Sequence, residues 1–235
     1  MRPSPLLLAT LTLVAGALVT GLAISAISVE PDDAVTTAPA RVVTPLDVPT
    51  VSFGNPQRGA TEPVIDVVVF GDYQCGPCRD LEPALNVLLT QRKDVRVTWK
   101  DFPNSSLHAQ AVVAAMAARC AAEQGAFWEY HDAIMASDAD LTTPNLLRNA
   151  DLLRLEMPAF QACLSTEATR PAVERDFEEG QRLRLEATPT LFIGARRISG
   201  VLTTEQLLAA VEAEVKVAEG RSAQQQGAPT VAPTR

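Results

Sequence analysis

The stretch that most constrains this chain runs from Val64 to Arg79, Val-Ile-Asp-Val-Val-Val-Phe-Gly-Asp-Tyr-Gln-Cys-Gly-Pro-Cys-Arg. Val64 to Phe70 is a short β-branched run with a single charge, the pattern of a buried central strand. Gly71 breaks the run, and a helical pattern starts around Cys75. Leu81, Leu85, Leu88 and Leu89 recur at helical spacing and give it one apolar face. Cys75 therefore stands where a strand hands over to a helix N-terminus, with Cys78 one turn inside.

A thiolate, not a thiol, attacks a disulfide. The first turn of a helix offers unpaired N–H groups and a dipole that favours negative charge. This predicts an exposed, nucleophilic Cys75 of lowered pKa, and a Cys78 placed to close a small disulfide ring and release a mixed-disulfide partner. Gly76 and Pro77 form the turn between them, and Pro suits an opening helical position. Half of a zinc site is the competing reading of the pair. Zinc requires two further ligands at short spacing, whereas Cys120 and Cys163 are isolated.

Gly-Asp-Tyr-Gln-Cys-Gly-Pro-Cys after a valine-rich strand resembles the thioredoxin-fold proteins. The later run of Phe102-Pro103, His108, Cys120-Ala121, Gln124-Gly125-Ala126-Phe127-Trp128 and Tyr130-His131-Asp132 resembles the helical insertion of the bacterial DsbA-like thiol:disulfide oxidoreductases. The resemblance covers residues 50 to 218. It implies an α/β thioredoxin fold with an inserted all-helical subdomain at about 105–182, within a domain spanning 51–218.

Composition narrows the setting. The 235 residues carry a formal net charge of −8 and a pI near 4.8, with no Lys/Arg run, so nucleic acid binding has little electrostatic support. Four cysteines suit two intramolecular pairs in an oxidising compartment. Leu6 to Val29 runs for 24 residues without a charge, preceded by Arg2 and followed by Glu30, Asp32 and Asp33. A membrane span needs about 20 apolar residues, and the h-region of a cleaved signal usually about 7 to 15. The charge asymmetry puts the N-terminus in the cytoplasm and the remainder outside. Residues 1–29 read as a signal anchor, with a signal peptide cut among Ala23 to Ser28 as the alternative. Residues 30–50 form a Pro/Ala/Thr-rich tether, and 219–235 read as a disordered tail.

In order along the chain, Val51 to Phe53 is expected as a short edge strand, with Gly54 to Pro63 as loop. Val95, Val97 and Trp99 alternate with Arg96 and Thr98, the period of a half-buried strand. Asn104 or Ser105 offers an N-cap for a long helix carrying Val113, Met116, Ala117 and Cys120 on one face. Helical segments follow at Phe127–Met135, Asn145–Leu155, Pro158–Leu164 and Pro171–Leu183. About 75 residues between two strands is too long for a loop, so these helices pack a core of their own. Strand returns at Thr190 to Ile193 and again at Arg197 to Ser199, before a last helix over Thr203–Val217. Pro83 lies inside the active-site helix and is expected to kink it without ending it, as is common in the fold it resembles.

The resemblance also assigns residues. A proline placed like Pro189 is cis in these proteins and faces the redox pair, which leaves the backbone of Thr188 free to pair with an extended substrate strand. Cys120 and Cys163 each lie on an apolar helix face. They are either buried free thiols or, as in some exported relatives, a structural disulfide, and the latter is favoured. The position six before Cys75, where the family often places a buried acid, is Val69, so no proton relay is carried over. His108 and His131, the only histidines, read as packing or surface residues of amphipathic helices; Asp72 and Lys100 are placed to influence the active-site pair.

The implied activity is exported thiol:disulfide exchange with no metal or organic cofactor. Compartment and insertion favour donating disulfides to unfolded exported proteins. Re-oxidation would come from a quinone-coupled membrane partner of the DsbB or vitamin-K-epoxide-reductase type. Gly76-Pro77, the dipeptide of thioredoxins, argues instead for a milder potential and a reductase or isomerase. A non-catalytic peptide-binding or chaperone module is the reading from another class.

Overall fold

The computed structural model describes residues 48–137 and 140–226, with side chains through Arg221. The expected anchor and most of the tether (1–47), and the end of the tail (227–235), lie outside the described residues.

The central strand, β2 (Ile65–Gly71), is buried along almost its whole length. Its β-branched side chains suit a pleat packed on both faces. Val67 and Val69 enter one apolar cluster with Leu81, Leu85 and Leu88 of helix α1 (Gly76–Gln91). Val68 and Phe70 enter a second with Leu183, Leu185 and Phe192. Helix α1 runs through Pro83 without ending. It returns the chain to β3 (Val95–Asp101), which pairs parallel to β2 from Ile65↔Val95 to Gly71↔Asp101.

Five helices then lie between β3 and the next strand: α2 (Ala111–Ala122), α3 (Phe127–Met135), α4 (Thr143–Leu152), α5 (Met157–Ser165) and α6 (Arg170–Arg182). A hairpin of β4 (Thr190–Ile193) and β5 (Arg196–Ser199) follows, β4 pairing antiparallel to β2. Helix α7 (Thr204–Gln226) closes the described chain. With β1 (Gln57–Gly59) on the far edge, the sheet order is β1-β3-β2-β4-β5.

Four local expectations are corrected. The edge strand is Gln57–Gly59, antiparallel to β3, and not Val51–Phe53. Phe53 is fully exposed and lies in the turn before that strand, whose position is set by backbone pairing with β3. Gly59 permits a close approach to β3: a Cβ there would lie 2.4 Å from the Val95 carbonyl. Strand β3 is buried on both faces, since α6 packs over the side carrying Thr98 and Lys100. The first helix of the insertion starts at Ala111, not near Asn104. Residues 104–110 fold as turns instead, with the Asn104 carbonyl accepting from the N–H groups of Leu107 and His108. Finally, α7 continues to Gln226, beyond the end expected at Val217 and into the stretch from 219 expected as a disordered tail.

Candidate active site

Cys75 is the N-cap of α1 and Cys78 lies in its first turn, with Pro77 at an opening position. Both are free thiols. In its protonated form Cys75 Sγ donates to the backbone carbonyl of Thr188 at 3.3 Å. The Thr188–Pro189 peptide bond is cis. Thus two segments 113 residues apart in sequence meet at one sulfur.

The two thiols differ in acidity. Cys75 is lowered to about 6, first by a hydrogen bond from the Cys78 thiol, against the opposing effect of burial, and further by Thr188 and by the Cys78 backbone N–H. Cys78 is pushed far up by burial, by its bond to Cys75 and by the charge on that neighbour. The helix start therefore contributes through one N–H, while the larger effect is the second cysteine. The exposed sulfur expected from the sequence is instead recessed: Cys75 is only 5% exposed, with the Thr188 segment against it.

The loop leading to Cys75 is tied to the segment ahead of α2. Asp72 Oδ1 accepts from the N–H of Gln74 at 2.7 Å, and the Asp72 carbonyl accepts from the N–H of Cys75 at 3.1 Å. Its Oδ2 accepts from the N–H of Asn104 and from His108 Nδ1, both at 2.8 Å. The Gln74 side chain accepts from Gln110 N–H at 2.6 Å. His108 thus lies in a turn and pairs with Asp72, where the sequence suggested an amphipathic helix.

His131 is fully buried in α3. The Tyr73 hydroxyl lies 3.0 Å from its Nδ1, and Glu82 Oε1 lies 3.2 Å from its Nε2. Glu82 and Asp132 are both paired with Arg58, which stacks over Trp128 at 4.2 Å. Glu82, His131 and Asp132 have the donor types of a metal site. In this arrangement the Arg58 guanidinium already supplies the positive charge that the two carboxylates require. Burial raises the Glu82 pKa, but His131 and Arg58 outweigh it and leave the carboxyl below its ordinary value.

Lys100, expected near the redox pair, is instead buried on the side of β3 covered by α6, 2.6 Å from Glu179 and 3.4 Å from Asp176. Beside it Arg119 bridges Asp101 and Asp176. Asp101 also accepts from Trp99 Nε1, and Asp176 from Asn55 Nδ2. Sequence reading missed this network. Its only signal was a Lys-Asp pair extending a valine-rich strand. Cys120 of α2 and Cys163 of α5 form a disulfide that joins those two helices away from the Cys75 pair.

A dithiol of unequal acidity at a helix start, faced by a cis-proline segment, on a sheet of this order defines the thiol:disulfide oxidoreductase class. The comparisons agree on the family. The chain belongs to the thioredoxin family, whose model Thioredoxin_4, described as thioredoxin, matches residues 53–213. It is similar in structure to a thioredoxin-like oxidoreductase from Silicibacter pomeroyi, with a TM-score of 0.66 and 25% identity, covering 70% of this chain and 94% of the other. BdbD from Bacillus subtilis shares the fold with a TM-score of 0.62 and 21% identity, over 69% and 94% of the two chains. In sequence it is 37% identical over 154 residues to the Na(+)/H(+) antiporter NhaA 3 of Salinispora tropica. That match takes in 66% of this chain and 24% of the relative, so the chain spans about a quarter of the curated relatives it matches.

Proposed function

We propose that this protein is an extracytoplasmic thiol:disulfide oxidoreductase that donates disulfides to folding exported proteins, with Cys75 as nucleophile and Cys78 as resolving thiol. The observation that carries this reading is the split in acidity between two neighbouring sulfurs, beside the Thr188 carbonyl that accepts from Cys75 Sγ at 3.3 Å.

In the oxidised protein a client thiolate attacks Cys75 Sγ. The Cys75–Cys78 bond breaks, its electron pair goes to Cys78 Sγ, which takes up a proton, and a mixed disulfide forms. A second client thiolate then attacks the client sulfur. The new disulfide stays on the client, and Cys75 leaves as a thiolate. Two electrons have passed from client to protein, and a quinone-coupled membrane partner of the DsbB or vitamin-K-epoxide-reductase type would remove them.

An acidic Cys75 favours this direction, because a stabilised thiolate is the better leaving group and stabilises the reduced form. A value of about 6 falls between those typical of thioredoxin (about 7) and DsbA (about 3.5). Gly76-Pro77 supports the milder end of that range, so a reductase or isomerase is the second reading. Client chains would lie along Thr188 and Pro189, with the cleft of Phe102, Pro103, Phe177 and Leu185 beside them for apolar side chains. No helix among the described residues is long and apolar enough to cross a membrane. The membrane-held reading rests on the uncharged run of residues 6–29 alone, which lies outside the described residues.

The test is oxidation of a reduced, unfolded client by the oxidised protein. Cys75→Ser should abolish it. Given instead a client that already carries a disulfide, Cys78→Ser should accumulate the Cys75–client mixed disulfide, since its Cys75 thiolate breaks the client bond and no second thiol of the pair releases it. A protein that binds the unfolded client equally well with Cys75 or with Cys75→Ser, and leaves its thiols reduced in both cases, would establish a peptide-binding module instead.

A further inference from the structure

The mechanism above leaves the Asp72 and His108 side chains without a role, although Asp72 lies in the loop leading to Cys75 and its carbonyl accepts from the Cys75 N–H at 3.1 Å. The Asp72 side chain is completely buried, and His108 covers it while keeping 26% exposure of its own. Every side-chain partner of Asp72 is an N–H donor: Gln74 N, Asn104 N and His108 Nδ1. Two of these donors are backbone N–H groups, which require the carboxylate oxygens to accept, and with Nδ1 protonated His108 supplies the third. A buried carboxylate this close to a second anion disfavours it. The Asp72 charge does act against ionisation of Cys75.

We propose that His108 is a positioning residue for the exchange reaction: its Nδ1–H draws off negative charge from the buried Asp72 carboxylate and so favours the Cys75 thiolate. Two of the three bonds to the carboxylate are fixed by the backbone, at Gln74 and at Asn104. The histidine bond is the one that a side-chain change can vary. It is also the one that reaches solvent. The link crosses 36 residues, from the active-site loop on β2 to the turn that opens the helical insertion. That turn therefore acts on the redox pair electrostatically, without touching either sulfur.

The inference rests on Cys75 being the exchanging thiol and goes beyond it by assigning a further influence on its acidity, smaller than that of Cys78. It is tested by following thiolate absorbance against pH in the reduced full-length protein, together with the equilibrium with glutathione. His108→Leu, which removes the donor, should move the Cys75 midpoint up by about half a unit, roughly halving the thiolate fraction at pH 6. Asp72→Asn, which removes the opposing charge, should move it down by a comparable amount. The double variant should follow Asp72→Asn, since the histidine has no charge left to offset. His108→Gln keeps a donor and should lie nearest the wild type. The glutathione equilibrium should shift with the midpoint, towards the disulfide in His108→Leu and towards the dithiol in Asp72→Asn.

Loosening of the loop alone would move both single variants in the same direction, and that result overturns the proposal. So does a His108→Leu protein that titrates like the wild type. If Asp72→Asn does not fold, the comparison of His108→Leu with His108→Gln decides alone: equal midpoints reject the proposal and a higher midpoint in the leucine variant supports it. A wild-type Cys75 that titrates as an ordinary thiol and does not exchange with glutathione rejects the exchange reading itself, and this inference with it.

Discussion

At residue scale the chemistry turns on two sulfurs pulled in opposite directions, and this fixes how the reduced protein responds to pH. Cys75 is lowered to about 6 in the folded state, against an ordinary value of 9.0. Between those limits the unfolded chain holds a proton that the folded one has released, so stability rises with pH. Below pH 6 both states hold the proton and the contribution is lost. Above pH 9 the unfolded chain begins to ionise Cys78 while burial keeps that thiol protonated in the fold, so further increase in pH opposes folding. The stability of the dithiol form relative to the disulfide form should therefore climb from pH 6 to pH 9 by up to about 4 kcal/mol, then turn over. Paired thermal unfolding curves of the two redox forms check this, and a flat difference across the window would contradict it. Cys78→Ser should shift the Cys75 midpoint towards the ordinary value if the serine hydroxyl is a poorer match to the thiolate, and leave it near 6 if it donates equally well. Cys78→Ala, which removes the donor, should move the midpoint clearly towards the ordinary value, and a midpoint left near 6 in that variant would contradict a dominant role for the Cys78 thiol.

At the scale of elements, close approaches decide which strands and helices can meet. A Cβ at Gly71 would lie 2.1 Å from the Trp99 ring, and one at Gly180 would lie 2.5 Å from Phe102. Gly71→Val should therefore displace Trp99 and lower stability by about 1–3 kcal/mol, the usual cost of overpacking, read as a lower midpoint in urea. A midpoint unchanged from the wild type would mean that β2 and β3 can separate without cost. The Cys120–Cys163 disulfide spans a sequence separation of 43 and links α2 to α5. Replacing both residues with alanine should cost about 4 kcal/mol on the chain-entropy account, without altering the titration of Cys75.

Much of this level was legible in the sequence. Val64 to Phe70 announced β2, Phe127–Met135 matched its helix residue for residue, and Thr188-Pro189 marked the entry to β4. What escaped was governed by long-range contact. Gln57-Arg58-Gly59 has no strand signature because its partner, β3, supplies the hydrogen bonds. Thr98 and Lys100 look solvent-facing until α6 is laid over them. The Asp72–His108 bond joins residues whose positions carry no shared pattern.

For the molecule as a whole, the sheet and the helices between β3 and β4 are joined through charge as well as apolar packing. Arg119 on α2 bridges Asp101 at the end of β3 and Asp176 on α6, and all three are almost fully buried. Arg119→Met would leave two carboxylates buried without their cation, a loss of about 3–5 kcal/mol. Calorimetry of the variant should show a clearly lower Tm. An unchanged Tm would mean that the two parts are held by apolar contacts alone. The same architecture sets Cys75 between α1, the Thr188 segment and the loop carrying Asp72, so its acidity reports on the whole assembly. The most direct test of the account is the equilibrium of the Cys75–Cys78 couple with glutathione at pH 7. An acidic Cys75 acting as a disulfide donor predicts a potential clearly more oxidising than the about −270 mV of thioredoxin, and a value at or below that figure would contradict it.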